Sequence, residues 1–178
     1  QECQELQSVD TSAWDTSNVN DMGFMFQNCY KLKEIIGMNN WDTSNVTFMK
    51  QIFYNCKALE KLDLSGWETG KVTDMEMTFA FCSTLKEISC ANWDVSNVTN
   101  MVGTFGQCFA LEKVDTTGWK PLKVTSTKNM FYNCYQLTEI IGSGDWVMPA
   151  NTSLYSMFQS CSSLKYLDAT NWDLSNVA

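Results

Sequence analysis

Apolar residues along this chain keep two rhythms that take turns. Met22, Met25, Phe26 and Cys29 stand at i, i+3, i+4 and i+7, the spacing that lines one face of a short helix. The same face recurs as Met49/Ile52/Phe53/Cys56 and as Leu154/Met157/Phe158/Cys161, and in other copies a threonine (Thr78, Thr104 or Thr127) takes one slot. Three residues past each cysteine the rhythm shortens to period 2, as in "LEKLDL" at 59–64, "LKEISC" at 85–90 and "LEKVDT" at 111–116, the mark of a short strand. Asp, Ser and Asn of the recurring W-D-x-S-N phrase then favour a turn. The pattern predicts helix, strand and turn, over and over. Thr73-Asp74-Met75-Glu76, just ahead of one apolar face, reads as a capping box for such a helix.

The repetition has a nearly fixed length. All seven tryptophans form one series, Trp14, Trp41, Trp67, Trp93, Trp119, Trp146 and Trp172, in which the first and fifth intervals are one residue longer than the rest. Fifteen residues after each of the first six comes a cysteine: Cys29, Cys56, Cys82, Cys108, Cys134 and Cys161, with Cys3 one period earlier. A period of this size marks a solenoid, in which each repeat buries its apolar face on its neighbours. Strands that return once per period with a helix between them must pair in parallel. The predicted fold is therefore an α/β repeat solenoid of leucine-rich-repeat type. Parallel in-register strands line one face, short helices line the other, and about seven rungs form a single domain over 1–178. Residues 1–13 supply a partial first repeat.

The strands' polar residues test the register. Lys33-Glu34, Glu60-Lys61, Lys86-Glu87 and Glu112-Lys113 reverse their order from one copy to the next. In an in-register parallel stack this sets each Lys beside a Glu, whereas identical repeats would stack like charges. Each exposed pair contributes only about 0–1 kcal/mol, so the alternation speaks for register more than for stability.

The stretch "WDTSNVTFMKQIFYNCKALEKLDLSGW" resembles the 26-residue leucine-rich-repeat unit of BspA-like bacterial surface proteins, and the pattern W-D-x-S-N-V-T…M-F-x-x-C-x-x-L runs through the whole chain. Two copies depart from it: "WKPLKVTSTKNMF" loses the Asp and Asn, and "WVMPANTSLYSMF" puts Asn151 where Val usually stands. The resemblance implies an extracellular or cell-surface location and a role in adhesion or surface structure. It supplies no catalytic residues.

Composition narrows the chemistry. A net charge of −8 and a pI near 4.4 argue against nucleic acid as a partner. No run of about 18 apolar residues offers a membrane span, and no charged segment leads into an apolar one as in a signal peptide. The chain opens at Gln1 without a methionine, which reads as a processed protein or a segment of a longer one. There is no histidine for general-base work, no GxSxG and no P-loop. The chain reads as a non-enzyme without a cofactor.

The repeated residues each invite a functional reading beside a structural one. Eight cysteines in a secreted chain suggest a disulfide framework. Seven of them share one helical core position, however, and helices pack about 8–10 Å apart, beyond the reach of about 7 Å between Cα atoms that a disulfide allows. Buried reduced thiols are favoured, with Cys90 in a core slot of its strand; no CxxC pair suggests zinc. The tryptophans suit core filling better than a sugar-stacking strip. Asp15, Asp42, Asp94 and Asp173 suit turn capping better than a calcium ladder, because Glu68, Lys120 and Val147 interrupt the column. Sequons at Asn45, Asn97 and Asn151 are glycosylation candidates in a eukaryotic host and turn asparagines in a bacterium. A threonine lattice for ice breaks up after Thr16, Thr43 and Thr69.

The expected function is a structural or adhesive protein outside the cell, with two kinds of partner in view. One is a second copy: the tail stops six residues past Trp172 and the head starts two residues before Cys3, so the ends complement each other for head-to-tail filaments. The other is a glycan or protein at a cell surface, read by the strand face.

Overall fold

The computed structural model describes residues 3–150 and 152–175. The chain winds as a repeat solenoid in which every turn bonds to the turn one period away. Among the described residues five short strands, β1 (Ser8–Asp10), β2 (Glu34–Ile36), β3 (Glu87–Ser89), β4 (Lys113–Asp115) and β5 (Glu139–Ile141), pair in parallel. Val9 stands opposite Ile35, and Ile88, Val114 and Ile140 follow one another in register. The alternation of charge reappears as Glu87, Lys113 and Glu139 in one row, with Lys113 Nζ 3.4 Å from Glu139 Oε2.

The strands do not form one continuous run of seven rungs. They make a pair, β1–β2, and a triplet, β3–β4–β5, while 61–63 and 166–168 pass without pairing. The cause lies in the two longer repeats. Each places its extra residue after an Ile-Ile pair, and a 3-10 turn absorbs it: Met38–Asn40 after Gly37, and Ser143–Asp145 after Gly142. The glycines have φ of +85° and +79°, and a Cβ on either would come within 2.8 Å of backbone atoms of Ser12 or Thr117. Both unpaired segments directly follow such a bulge.

Among the described residues the expected helices are absent, and this is the main correction to the sequence reading. Where the apolar spacing predicts helices, each rung carries two left-handed residues four positions apart: Phe24 and Asn28, Gln51 and Asn55, Met77 and Phe81, Gly103 and Gln107, Asn129 and Asn133, Ser156 and Ser160. The N–H groups of Met22, Phe24, Phe26 and Asn28 donate to the carbonyls of Phe48, Lys50, Ile52 and Tyr54 in the next rung. Those of Met25, Gln27 and Cys29 close turns onto Met22, Phe24 and Phe26. A left-handed third residue is where type II turns carry one. Helix bonds would satisfy each rung internally and leave its neighbours unbonded; this turn ladder divides its donors between the two. Left-handed backbone costs an L residue about 1–2 kcal/mol, and the inter-rung bonds offset it.

The capping box also dissolves. Thr73 donates both its N–H and its hydroxyl to the Thr47 carbonyl one rung away, and Asp74 Oδ1 accepts the N–H of Glu76 in a local Asx turn. Thr47, Thr73, Thr99 and Thr125 repeat this double donation.

Between the strand face and the turn ladder lies a core of columns. Indoles stack from Trp14 to Trp172 with centroids 5.6 to 6.5 Å apart. Beside them Phe26, Phe53, Phe79, Phe105, Phe131 and Phe158 stack at 5.2 to 5.9 Å. Thr16, Thr43 and Thr69 are buried in this core, so they form no surface lattice. Thr78 fills the slot of Ile52, its hydroxyl 3.0 Å from the Met49 carbonyl and 2.9 Å from that of Met75.

Candidate functional site

The cysteine column is built into the backbone ladder. Each thiol of Cys56, Cys82, Cys108, Cys134 and Cys161 donates to the carbonyl of a phenylalanine one rung away, Phe26, Phe53, Phe79, Phe105 and Phe131, at 3.0 to 3.2 Å. The same carbonyls accept the N–H of the cysteine in their own rung, so the thiol fills the second lone pair. All eight cysteines are thiols. Burial pushes Cys56, Cys82, Cys90 and Cys134 far up, Cys108 to about 12 and Cys161 to about 11. A thiol held protonated is neither a nucleophile nor a metal ligand.

The tryptophans turn their faces to one another. Trp41, Trp67, Trp93, Trp119 and Trp146 are buried, and Trp67 and Trp119 donate Nε1–H to the carbonyls of Met38 and Cys90. Trp14 alone among the described indoles is more than a third exposed, at 45%. The column leaves no aromatic strip open to a sugar.

The aspartates work singly. Asp15, Asp42, Asp94 and Asp173 each accept the N–H of the serine two residues on, Ser17, Ser44, Ser96 or Ser175. Asp10, Asp63, Asp115 and Asp168 do the same for Ser12, Ser65, Thr117 and Thr170 at the ends of the strand segments. Hydrogen bonds from the hydroxyl and then the N–H of that residue hold Asp10, Asp15, Asp42, Asp63, Asp94, Asp168 and Asp173 below the ordinary carboxylate range. Among the described residues no three of His, Cys, Asp and Glu gather to hold a metal ion.

The sequon asparagines belong to a ladder of their own. Asn45 Nδ2 donates to the Ser17 carbonyl and Asn97 Nδ2 to that of Gly70, while Lys71 and Lys123 donate to the Oδ1 atoms of Asn45 and Asn97. Asn151 lies outside the described residues.

With the recurring polar groups engaged in this way, the strand face carries the variation. Its outward column reads Asp10, Ile36, Asp63, Ser89, Asp115, Ile141 and Asp168, and Ile36 and Ile141 are 48% and 39% exposed at the two bulged rungs. Sequence reasoning passed over those bulges and over Tyr166, which is 76% exposed on the same face. The signal was present in the two longer intervals of the tryptophan series.

Comparison with known proteins agrees with this architecture. The family described as Mycoplasma protein of unknown function, DUF285, matches residues 1–107 and 60–172, in line with the BspA-like leucine-rich-repeat phrase in the sequence. Among solved structures, the leucine-rich repeat protein TpLRR of T. pallidum is similar over 90% of this chain and 72% of its own, with 17% identity and a TM-score of 0.54, which shows the fold. A leucine-rich cell surface protein from Faecalibacterium prausnitzii A2-165 matches with 15% identity over 97% of this chain and 61% of its own, at a TM-score of 0.33. A leucine-rich repeat protein from Bacteroides ovatus matches with 18% identity over 93% and 61%, at 0.31. No curated protein matches the chain. Among the described residues no helix is long and apolar enough to cross a membrane.

Proposed function

The chain belongs to the DUF285 family, described only as Mycoplasma proteins of unknown function, and on that premise we propose that it is a non-enzymatic recognition and adhesion module displayed at the cell surface. One observation carries the reading. Polar groups that recur once per repeat are spent on holding rungs together or on closing turns within a rung, while the strand face, which the fold leaves free to vary, differs from rung to rung. A rigid ladder with a varied face is the arrangement by which solenoids bind partners. The repeated turn aspartates Asp15, Asp42, Asp94 and Asp173 each cap a separate turn, and the buried thiols stay protonated, which supports the absence of catalysis. Cell-surface glycans or proteins suit a face of mixed charge, and the net charge of −8 sets nucleic acid aside.

Purified protein passed over immobilised surface glycans and extracellular proteins tests this reading. Saturable binding to one class is expected; uniform absence of binding, or turnover of a presented substrate, would overturn it. Sugar attachment at Asn45, Asn97 and Asn151 is tested by intact mass before and after an N-glycanase.

Self-association is a second reading, supported by Trp14, whose half-exposed indole offers the kind of face that Trp41 to Trp146 bury against neighbours. Electron microscopy with light scattering decides it. Filaments are expected, and monodisperse monomers at high concentration would exclude it.

A further inference from the structure

The two bulged rungs form an internal control. Both follow Glu-Ile-Ile-Gly, at 34–37 and 139–142, so the backbone demands are the same. The side chains around them are not. The first bulge carries Asn39 and Asn40 and is followed by Lys61; at the matching places the second carries Gly144 and Asp145 and is followed by Tyr166. Around the second bulge the strand face opens into a cleft of about 760 Å³, within the size range of small-ligand sites.

The lining combines three kinds of group. Tyr166 and Ile141 present apolar surface, being 76% and 39% exposed. Lys113 supplies an ammonium, with Glu139 Oε2 3.4 Å away. Asp145 and Asp168 supply carboxylates, and Asp145 Oδ2 accepts the Gly118 N–H at 3.3 Å. Asp168 Oδ1 is engaged by Thr170, but its Oδ2 lies over Gly144, where a Cβ would stand 2.5 Å away. A side chain at 144 would require that carboxylate to turn aside. The bulge itself is held in place by the next rung, since Asn171 Nδ2 donates to the Gly144 carbonyl and Trp172 Nε1 to that of Ser143.

We infer that this cleft is a binding site for a neutral saccharide unit, with Tyr166 as the stacking platform and Asp145 and Asp168 as acceptors for its hydroxyls. A sugar ring has an apolar C–H face that packs on an aromatic ring, and its hydroxyls donate charge-assisted hydrogen bonds to carboxylates. An anionic ligand fits less well, because it meets Glu139, Asp145 and Asp168 against the single ammonium of Lys113. Asp168, like any ordinary aspartate, is ionised at neutral pH, and the hydrogen bonds from Thr170 hold its carboxyl lower still.

The inference rests on the recognition reading above and places it at one site. A panel of neutral hexose and N-acetylhexosamine oligosaccharides, titrated by calorimetry against the full chain, tests it. One class is expected to bind, at least tenfold more weakly to Tyr166→Ala and to Asp145→Asn, the latter being the residue at the first bulge. Tyr155→Ala, an exposed tyrosine beside Lys128 on another face, should bind as the parent does. Unfolding curves of Tyr166→Ala that overlay the parent's keep a loss of binding from being a loss of fold. Absence of binding by the whole panel overturns the inference, as does tighter binding of an Arg/Lys hexapeptide that depends on Asp145. Saccharide binding that survives Tyr166→Ala removes this site and leaves the recognition reading standing.

Discussion

The thiol of Cys82 lies 3.2 Å from the carbonyl oxygen of Phe53, twenty-nine residues earlier in the chain and one rung away. That oxygen also accepts the N–H of Cys56 at 3.1 Å. The cysteine column is thus a row of rung-to-rung bonds made by the smallest apolar residue with a proton to give. Cys82→Ala should destabilise the fold by about 1–2 kcal/mol, combining a lost bond and a small cavity. Cys82→Ser, which keeps a donor, should separate the two contributions when both are compared by urea unfolding.

Reactivity of the thiols follows from the same burial. Iodoacetamide on the native protein should label Cys3, which is exposed, well before Cys56, Cys82, Cys108 or Cys134, which are buried. Peptide mapping at increasing urea should show the buried set becoming labelled together at the unfolding transition. Labelling of the column in native buffer would contradict the stacked core.

Acid and alkali should each weaken the fold, for opposite reasons. The seven shifted aspartates have folded values below the ordinary 3.8. Their contribution is therefore present above that pH and is lost as pH falls through the folded values. The buried thiols are raised above 9.0, so their contribution is full below that pH. It declines above it, where the unfolded chain ionises and the folded chain does not. Thermal melting followed by circular dichroism should give a plateau between about pH 5 and 8, with Tm falling on both sides.

Glycines at equal sign of φ should differ in what they tolerate. Gly142 has φ of +79° with a Cβ position 2.6 Å from the Thr117 backbone, so Gly142→Ala should cost about 2 kcal/mol or more. Gly103, at φ of +62°, occupies a slot that Phe24, Gln51, Met77, Asn129 and Ser156 fill in other rungs. Gly103→Ala should cost less, about 1–2 kcal/mol, the left-handed backbone being the main penalty. Equal melting temperatures for the two variants would refute the steric argument.

The aromatic columns should be strongest at their middles. Phe105, fully buried between Phe79 and Phe131 at 5.3 and 5.2 Å, should cost about 3–5 kcal/mol when changed to Ala. Trp14→Ala should cost clearly less, because that indole is stacked on one side and 45% exposed. Chemical unfolding of both variants gives the comparison.

By itself the sequence determined the period, the inward-facing columns and the parallel register. Each is a matter of which side chains recur and at what distance. Tryptophan, phenylalanine and cysteine return once per period, and Lys and Glu exchange places between neighbouring strands. Even the two bulged rungs were written in the two longer intervals, and the constant fifteen residues from tryptophan to cysteine put the extra residue between Cys29 and Trp41 and between Cys134 and Trp146. The turn ladder was not legible. Met22, Phe26 and Cys29 are buried whether the segment is a helix or a chain of left-handed turns, because both put the same residues inward. What separates the two is the destination of the backbone donors, and for Phe26 that is Ile52, in the next rung. Likewise, only the folded chain brings Tyr166 and Asp168 beside Gly144 and Asp145, since they come from different turns of the solenoid. Side-chain pattern records which residues avoid water. Hydrogen-bond partners a whole period apart are settled by the stacking of the rungs, where every buried N–H must find an acceptor.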